Sequence, residues 1–167
     1  MDLVRGVYLG LGSNLGDREA QLLGALRSLE RRGFGLLSLS SFWETEPVGG
    51  PLQGAYLNAV AAGATALAPR ALLEACLEVE REQGRERRER WAARTLDLDL
   101  LFYADRVLEE PGLSLPHPRL HERRFVLEPL VEIAPELRHP VLGRTARELL
   151  ARCPDTSGVE RLAPRER

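Results

Sequence analysis

The sequence predicts an α+β fold, a ferredoxin-like sandwich of an antiparallel sheet with helices, extended by helical additions at the C-terminal end. Strand-like and helix-like segments alternate in the order β-α-β and again β-α-β. The hydrophobic content of 44% and the charged content of 29% suit a soluble globular chain with a core. We expect one domain over residues 1–167, with the last dozen residues as a loose tail. A Rossmann fold is the main competing prediction.

Apolar periodicity predicts the elements of the first half. Alternating apolar residues predict strands over residues 4–11, 33–42 and 56–66. Apolar residues at helical spacing predict helices over 17–32 and 69–83. The second helix begins at a proline and ends before a glycine, as many helices do.

The segment Gly10–Gly16 reads G-x-G-x-x-x-G between the first strand and the first helix. This invites a dinucleotide-binding interpretation, but the spacing differs from the Rossmann motif and no acidic residue ends the second strand. We therefore expect these glycines to form a tight turn, with Asn14 and Asp17 capping the helix.

The second half of the chain is predicted to combine strands, a loop and helices. Residues 94–103 alternate as a strand does, and a short strand near 106–108 is expected to pair with it as a hairpin. A loop at 116–118 precedes predicted helices near 125–132 and 145–152.

Asp97 and Asp99 are two residues apart on the predicted strand, so both side chains point to one face. The other face is expected to carry the apolar residues Leu96, Leu98, Leu100 and Phe102. Adjacent carboxylates repel each other, and a cation between them removes the repulsion. Oxygen ligands select Mg²⁺ or Mn²⁺, and Mg²⁺ usually takes further ligands from water and phosphate. A D-x-D pair by itself is more often a solvated strand face.

An arginine-rich segment lies directly upstream of the acidic pair. Residues 85–94 contain five arginines and two glutamates, an excess of three positive charges in a chain of formal net charge −2. Acids that hold a metal and guanidinium groups that neutralise phosphate oxygens suit a metal-bound polyphosphate. A solvated Arg/Glu helix is the alternative, against which Gly84 and Trp91 argue.

Three further residues are candidates. Glu80 lies at the edge of the buried helix face, where a carboxylate needs a partner such as Arg85, although a surface glutamate fits equally well. Asn58 shares a strand face with Tyr56, and its amide can read a heterocycle edge or satisfy a neighbouring loop. His117 is held between two prolines beside arginines, which suits phosphate binding, or it is an ordinary surface residue.

Composition narrows the function classes. The near-neutral charge gives no reason to expect nucleic-acid or membrane binding, and no apolar run approaches the roughly 20 residues of a spanning helix. Cys76 and Cys153 are isolated and lack metal-site spacing. No signal peptide is recognised, so we expect a cytoplasmic protein. Separately, we expect a monomer.

Together and in this order, these segments resemble the 6-hydroxymethyl-7,8-dihydropterin pyrophosphokinases, enzymes of folate biosynthesis. The resemblance covers about residues 5–137. It rests on short motifs: GSNLG at 12–16, SFWETEP at 41–47, YLNA at 56–59, RTLDLD at 94–99, PHPR at 116–119 and ERRF at 122–125.

The resemblance implies transfer of the pyrophosphoryl group of ATP to the pterin hydroxymethyl oxygen, with release of AMP. It implies that Asp97 and Asp99 bind two Mg²⁺ ions that arrive with ATP, and that they are catalytic together with Arg85 and Arg94. The residues implied to contact ATP are Glu80, Arg85, Arg88, Arg94, His117 and Arg123.

The same resemblance assigns the pterin site. Tyr56 and Phe125 are implied to stack on the two faces of the ring. The edge of the ring is implied to be read by Asn58 and by the backbone around Thr45 and Val48. Residues 84–93 are implied to form a mobile lid that carries Trp91.

Two alternatives stay open from the residues alone. A metal-dependent nucleotidyltransferase would use the same acids and arginines and would release pyrophosphate. An RNA-binding module of ferredoxin-like fold is less favoured, because the first strand offers only Tyr8 for base stacking.

Overall fold

A computed structural model of the chain describes residues 2–14, 16–45, 55–83 and 96–163. The elements within these ranges are β1 (Val4–Ser13), α1 (Arg18–Arg31), β2 (Phe34–Leu39), β3 (Trp43–Thr45), β4 (Tyr56–Thr65), α2 (Pro69–Gln83), β5 (Asp97–Tyr103), β6 (Leu108–Glu110), β7 (Leu113–Leu115), α3 (Arg124–Ile133), α4 (Ala146–Ala151) and β8 (Val159–Arg161). No helix in these ranges is long and apolar enough to cross a membrane.

The main sheet is antiparallel and confirms the predicted fold class. Its strand order is β5-β1-β4-β3-β8, and β2 pairs with the half of β4 that β3 leaves free. The order β-α-β, β-α-β with antiparallel neighbours is that of a ferredoxin-like sandwich and excludes the parallel sheet of a Rossmann fold.

Helices cover both faces of this sheet. On one face, α1 and α2 bury apolar side chains against β1, β4 and β5, with Leu9, Leu22, Leu29 and Leu72 fully buried. On the other face, α3 and α4 form a second cluster around Leu127. This second cluster covers only part of the sheet, and the uncovered part is where the candidate site lies.

The C-terminal segment is attached to the sheet. Val159 pairs with Thr45 and Arg161 with Trp43, so β8 is an added edge strand next to β3. This differs from the loose tail expected for the last dozen residues. The difference has a physical reason, because strand pairing between distant segments leaves little trace in local periodicity.

A β-bulge changes the faces of β5. The register shifts between the pairs Tyr8–Phe102 and Leu9–Leu100, so Leu101 is an extra residue. Phe102 therefore lies on the α3 face, where its ring meets that of Tyr8 edge-on, with 6.0 Å between centroids. The prediction that Phe102 shares a face with Leu98 is wrong, since simple alternation does not reveal a bulge.

The predicted hairpin between residues 106–108 and the Asp97–Asp99 strand is also wrong. β6 pairs instead with β7 in a separate two-stranded sheet. Pro111 and Gly112 make the tight turn between them, and Gly112 has a φ of +75°, which glycine adopts without strain. The pair Pro111–Gly112 favours a turn at this place, which alternation around residues 106–108 does not reveal.

Candidate active site

The site is a cavity of about 620 Å³ on the α3 face of the sheet. Its floor includes Gly10 and Gly12 of β1, which leave room because they lack side chains. These two glycines lie within a strand, so the tight turn predicted for them is wrong, whereas Gly16 does have a turn conformation with a φ of +66°.

Of the two helix-capping residues predicted from the same segment, one is confirmed and the other is wrong. The Asp17 carboxylate accepts a hydrogen bond from the Ala20 N–H at 3.1 Å, as predicted. The buried Asn14 side chain makes no hydrogen bond within the described part of the chain, so it does not cap α1.

The register of the sheet places the polar candidates on either side of the glycine floor. Gly12 pairs with Asp97 on β5 and with Asn58 on β4, while Gly10 pairs with Asp99. Asp97 and Asn58 are therefore about 10 Å apart across β1, from two interstrand spacings. Acidic side chains line one side of the cavity and an amide lines the other.

The amide side is held by hydrogen bonds within the cavity wall. The Asn58 Nδ2 donates to Thr45 Oγ1, and the Asn58 side chain is buried. A Cβ on Gly12 would meet the Asn58 Oδ1 at 3.0 Å and Tyr56 Cδ1 at 3.5 Å. Asn58 therefore hydrogen-bonds the neighbouring strand through Nδ2, and its Oδ1 lies next to the space above Gly12. The first of the two roles considered from the sequence is present, and recognition of a heterocycle edge stays a prediction.

The first residues of α3 form another wall. Phe125 and Arg123 line the cavity, and the Arg123 guanidinium carbon is 5.8 Å from the Phe125 ring centroid. This distance is within the range of a cation–π contact, which orients both side chains. An aromatic face and a cation are thus presented together.

A second, smaller pocket of about 270 Å³ adjoins the acidic pair. Asp99 lines both pockets. Leucines of α2, β5 and β7 and the polar residues Ser114 and His117 form much of the remaining lining of the second pocket. The leucines are Leu73, Leu98, Leu100 and Leu113. The Asp97–Asp99 strand therefore borders two spaces of different character.

His117 is neutral in this setting. Burial and the nearby Arg123 and Arg119 lower the pKa of His117, and the Asp99 charge only partly opposes them. Its Nδ1 accepts a hydrogen bond from the Arg119 N–H at 3.2 Å, so the proton of the neutral ring is on Nε2. His117 can therefore donate one hydrogen bond to a ligand, but it contributes no positive charge.

Glu80 is buried behind β5, with 5% of its surface exposed. Its Oε2 accepts a hydrogen bond from the Leu98 N–H at 2.7 Å, and Leu98 lies between the two aspartates. A backbone donor of the edge strand is thus one partner of this buried carboxylate, and the expected partner Arg85 lies outside the described residues. Its predicted contact with ATP stays a prediction.

Five predicted site residues lie outside the described part of the chain: Val48, Arg85, Arg88, Trp91 and Arg94. The structure brings together the others, apart from Glu80, around the two pockets. No cluster of three or more His, Cys, Asp or Glu residues that could hold a metal occurs within the described ranges.

Sequence reasoning missed one wall of the cavity. Asp155, Thr156 and Ser157 line it, although Thr156 and Ser157 belong to the last dozen residues, which are expected to be a loose tail. The local signal was the Asp-Thr-Ser-Gly run, which is typical of a side-chain-stabilised turn. Nothing local indicated that this turn would reach the site.

Comparison with known proteins identifies the family of the chain. The family model for 7,8-dihydro-6-hydroxymethylpterin-pyrophosphokinase matches residues 8–135. A Pseudomonas aeruginosa 2-amino-4-hydroxy-6-hydroxymethyldihydropteridine pyrophosphokinase is 44% identical over 161 residues, covering 96% of this chain and 98% of that protein. The enzyme of the same name from Aquifex aeolicus is 40% identical over 142 residues, covering 85% and 88%.

The fold matches solved structures as well. A crystal structure of wild-type Plasmodium falciparum HPPK-DHPS has a TM-score of 0.67 and 16% sequence identity, covering 91% of this chain and 43% of that longer chain. This likeness supports the α+β fold, and the sequence relatives carry the assignment of family. The chain therefore belongs to the 7,8-dihydro-6-hydroxymethylpterin-pyrophosphokinase family.

Proposed function

We propose that the chain transfers the pyrophosphoryl group of ATP to the hydroxymethyl oxygen of 6-hydroxymethyl-7,8-dihydropterin in folate biosynthesis, and that it does so at the Asp97–Asp99 strand. The observation that carries this placement is the acidic border shared by the two pockets. Membership of the family makes the chain a pyrophosphokinase, and the nucleotidyltransferase and RNA-binding alternatives are not favoured.

The larger cavity suits the pterin. A flat heterocycle can lie against Gly10 and Gly12, which add no side chain of their own to the floor. Tyr56 and Phe125 are the aromatic side chains of this cavity and can stack on the ring. Asn58, fixed by Thr45, can pair with the donor–acceptor edge of the ring, and the backbone up to Val48 is proposed to continue this recognition.

The smaller pocket suits the nucleotide. Enzymes of this family use ATP with a divalent metal. The leucines of the pocket can cover the base, and the His117 Nε2–H can donate to a ribose or phosphate oxygen. The phosphate chain would then lie across Asp99 towards the larger cavity, where Arg123 can neutralise part of its charge. Arg85, Arg88, Arg94 and Glu80 are proposed to complete the ATP site.

The acidic pair fits a hard divalent metal. Asp97 and Asp99 lie on one strand face and supply carboxylate oxygens, the ligand type that Mg²⁺ prefers, with water and phosphate left to complete its coordination. We propose Mg²⁺ as the metal and two ions as their number. When bound, the metal shields the phosphate charge and makes the β-phosphorus a better electrophile.

The residues of the chain promote the reaction by positioning the two substrates. The pterin hydroxymethyl oxygen forms a bond with the β-phosphorus, the bond from that phosphorus to the oxygen bridging to the α-phosphate breaks, AMP leaves, and the hydroxyl proton is released. The described lining of the larger cavity includes no cysteine or histidine that could carry a covalent phosphate. Direct in-line transfer between two oriented substrates is the simplest route.

The setting of the reaction is also a proposal. Cys76 is buried and Cys153 is partly buried, and both are free thiols. Free thiols suit a reducing compartment, so we propose a cytoplasmic enzyme. We also propose that the chain acts as a monomer.

Labelled ATP tests the reaction. With Mg²⁺ and the pterin, ATP radiolabelled on the β- or the γ-phosphate should transfer its label to the pterin product, and ATP labelled on the α-phosphate should leave its label in AMP. A sample without pterin is the control. If only the γ-label moves, the chain is an ordinary kinase. Movement of the α-label with release of pyrophosphate would make it a nucleotidyltransferase.

A further inference from the structure

The segment between α4 and β8 forms a wall of the larger cavity. Asp155, Thr156 and Ser157 line the cavity together with Phe125 and Arg123 of the α3 end, although about 30 residues separate the two segments. The catalytic acids and the pterin-reading amide lie on other elements. A separate segment therefore shapes the space next to the aromatic wall.

Asp155 joins this segment to the start of α3. Its Oδ2 accepts a hydrogen bond from the Arg124 N–H at 3.1 Å. Its Oδ1 accepts from the Ser157 N–H at 2.9 Å and from the Ser157 hydroxyl at 2.6 Å. Arg123, at the N-cap position of α3, makes no side-chain capping bond, so the first turn of this helix receives its acceptor from Asp155.

The surroundings of Asp155 stabilise the charged form of its carboxyl group. Burial raises its pKa, but the hydrogen bonds from Ser157 and the Arg124 N–H, together with the Arg124 charge, lower the pKa of Asp155 overall. The carboxylate stays ionised at neutral pH and is a strong acceptor for a helix N-terminus.

The other end of α3 is fastened as well. Glu132 accepts hydrogen bonds from the Ser41 N–H at 3.0 Å, from the Ser41 hydroxyl at 2.6 Å and from the Trp43 indole N–H at 2.9 Å. Trp43 begins β3, which ends at Thr45 in the cavity wall. The helix that presents Phe125 is thus tied to its surroundings by a carboxylate at each end.

The far side of the turn is anchored to the same wall. β8 follows it directly, and Val159 pairs with Thr45. The turn is therefore held between the pterin-facing end of α3 and the pterin-facing end of β3. Any shift of this turn would change the separation between Phe125 and the edge-reading residues.

We propose that the turn at Asp155–Ser157 is a specificity-determining part of the pterin site, in which Asp155 is a positioning residue that sets the place of Phe125 through Arg124. This inference rests on the proposed function, because it takes the larger cavity as the pterin site. It adds a C-terminal segment to a site otherwise built from the sheet and α3.

The test compares pterin and nucleotide binding in matched variants. Asp155→Ala removes the hydrogen bonds that the Asp155 carboxylate accepts from Arg124 and from Ser157. Asp155→Asn keeps a neutral acceptor, and Ser157→Ala removes only the hydroxyl contact. Asp105→Ala, an exposed acidic residue after β5, is the control for charge. Each purified full-length variant is titrated with the pterin in the presence of a non-hydrolysable ATP analogue and Mg²⁺, and with the analogue alone.

We expect Asp155→Ala to weaken pterin binding about five- to tenfold through loss of the stacking geometry, with analogue affinity within about twofold of the wild type. Asp155→Asn keeps an acceptor for only one of the two partners, Arg124 and Ser157, and turns an N–H towards the other, so it should weaken pterin binding about threefold. Ser157→Ala should weaken it about twofold, and Asp105→Ala should not change it. In steady state the KM for pterin should rise more than kcat falls.

Two results would overturn this inference while leaving the proposed function intact: unchanged pterin affinity in Asp155→Ala, or equal losses of pterin and analogue affinity. If Asp155→Ala does not fold, the same comparison is decided by Asp155→Asn and Ser157→Ala, for which unchanged pterin affinity in both is the contrary result. A wild-type chain that binds the analogue but no pterin would overturn the proposed function and this inference together.

Discussion

Asp97→Asn and Asp99→Asn are each expected to lower kcat by about a thousandfold at ordinary Mg²⁺ levels, since a lost metal ligand removes several kcal/mol of charge stabilisation. The change keeps the size of the side chain and relieves repulsion between the two carboxylates in the metal-free protein. The melting temperature without metal should therefore stay equal to that of the wild type or rise slightly.

Turnover and thermal unfolding of the two variants are measured over a range of Mg²⁺ concentrations. Asp105→Asn, which changes an exposed acid outside the site, serves as the control and should keep full activity. Near-wild-type turnover of either site variant at ordinary Mg²⁺ would remove the acidic pair from the mechanism.

Gly12→Ala is expected to weaken pterin binding by at least about tenfold, because the new methyl group would stand in the floor of the cavity. Its Cβ would be 3.0 Å from Asn58 Oδ1 and 3.5 Å from Tyr56 Cδ1, so the amide that reads the ring edge would have to move. ATP-analogue binding should change little, since Gly12 does not line the second pocket.

Gly10→Ala is the matched control two residues earlier on the same strand. Its Cβ would meet only the Leu101 side chain, at an ordinary 3.5 Å. We expect a smaller loss of pterin affinity than in Gly12→Ala, with both variants folded. Wild-type pterin affinity in Gly12→Ala would show that the space next to Asn58 is not part of the pterin site.

Local pattern was enough for some parts of the molecule. The second helix was predicted over 69–83 and is found at Pro69–Gln83, because its apolar spacing and its proline start are local properties. The strand with Asp97 and Asp99 was recognised from alternation, and both acids line the cavity. The predicted helix near 145–152 exists because Thr145 and Glu148 form a capping box.

Other parts depend on contacts between distant segments. Gly10 and Gly12 were interpreted as a turn, since their role as a floor follows from pairing with β4 and β5, which local spacing does not reveal. Among the described residues, Glu80 accepts a hydrogen bond from a backbone N–H on another element. Asp155 reaches the site only because β8 joins the sheet edge. Such features follow from the sheet register, and strand register is set by the whole fold.

The arrangement of metal and substrates can be seen in a crystal structure of the chain with Mn²⁺, a non-hydrolysable ATP analogue and 6-hydroxymethyl-7,8-dihydropterin, with the metal located by anomalous scattering. We expect metal peaks bonded to the carboxylates of Asp97 and Asp99, the pterin ring between Tyr56 and Phe125, and the base of the analogue against Leu73 and Leu113. A metal bound by neither aspartate, or a pterin outside the cavity above Gly12, would contradict this arrangement.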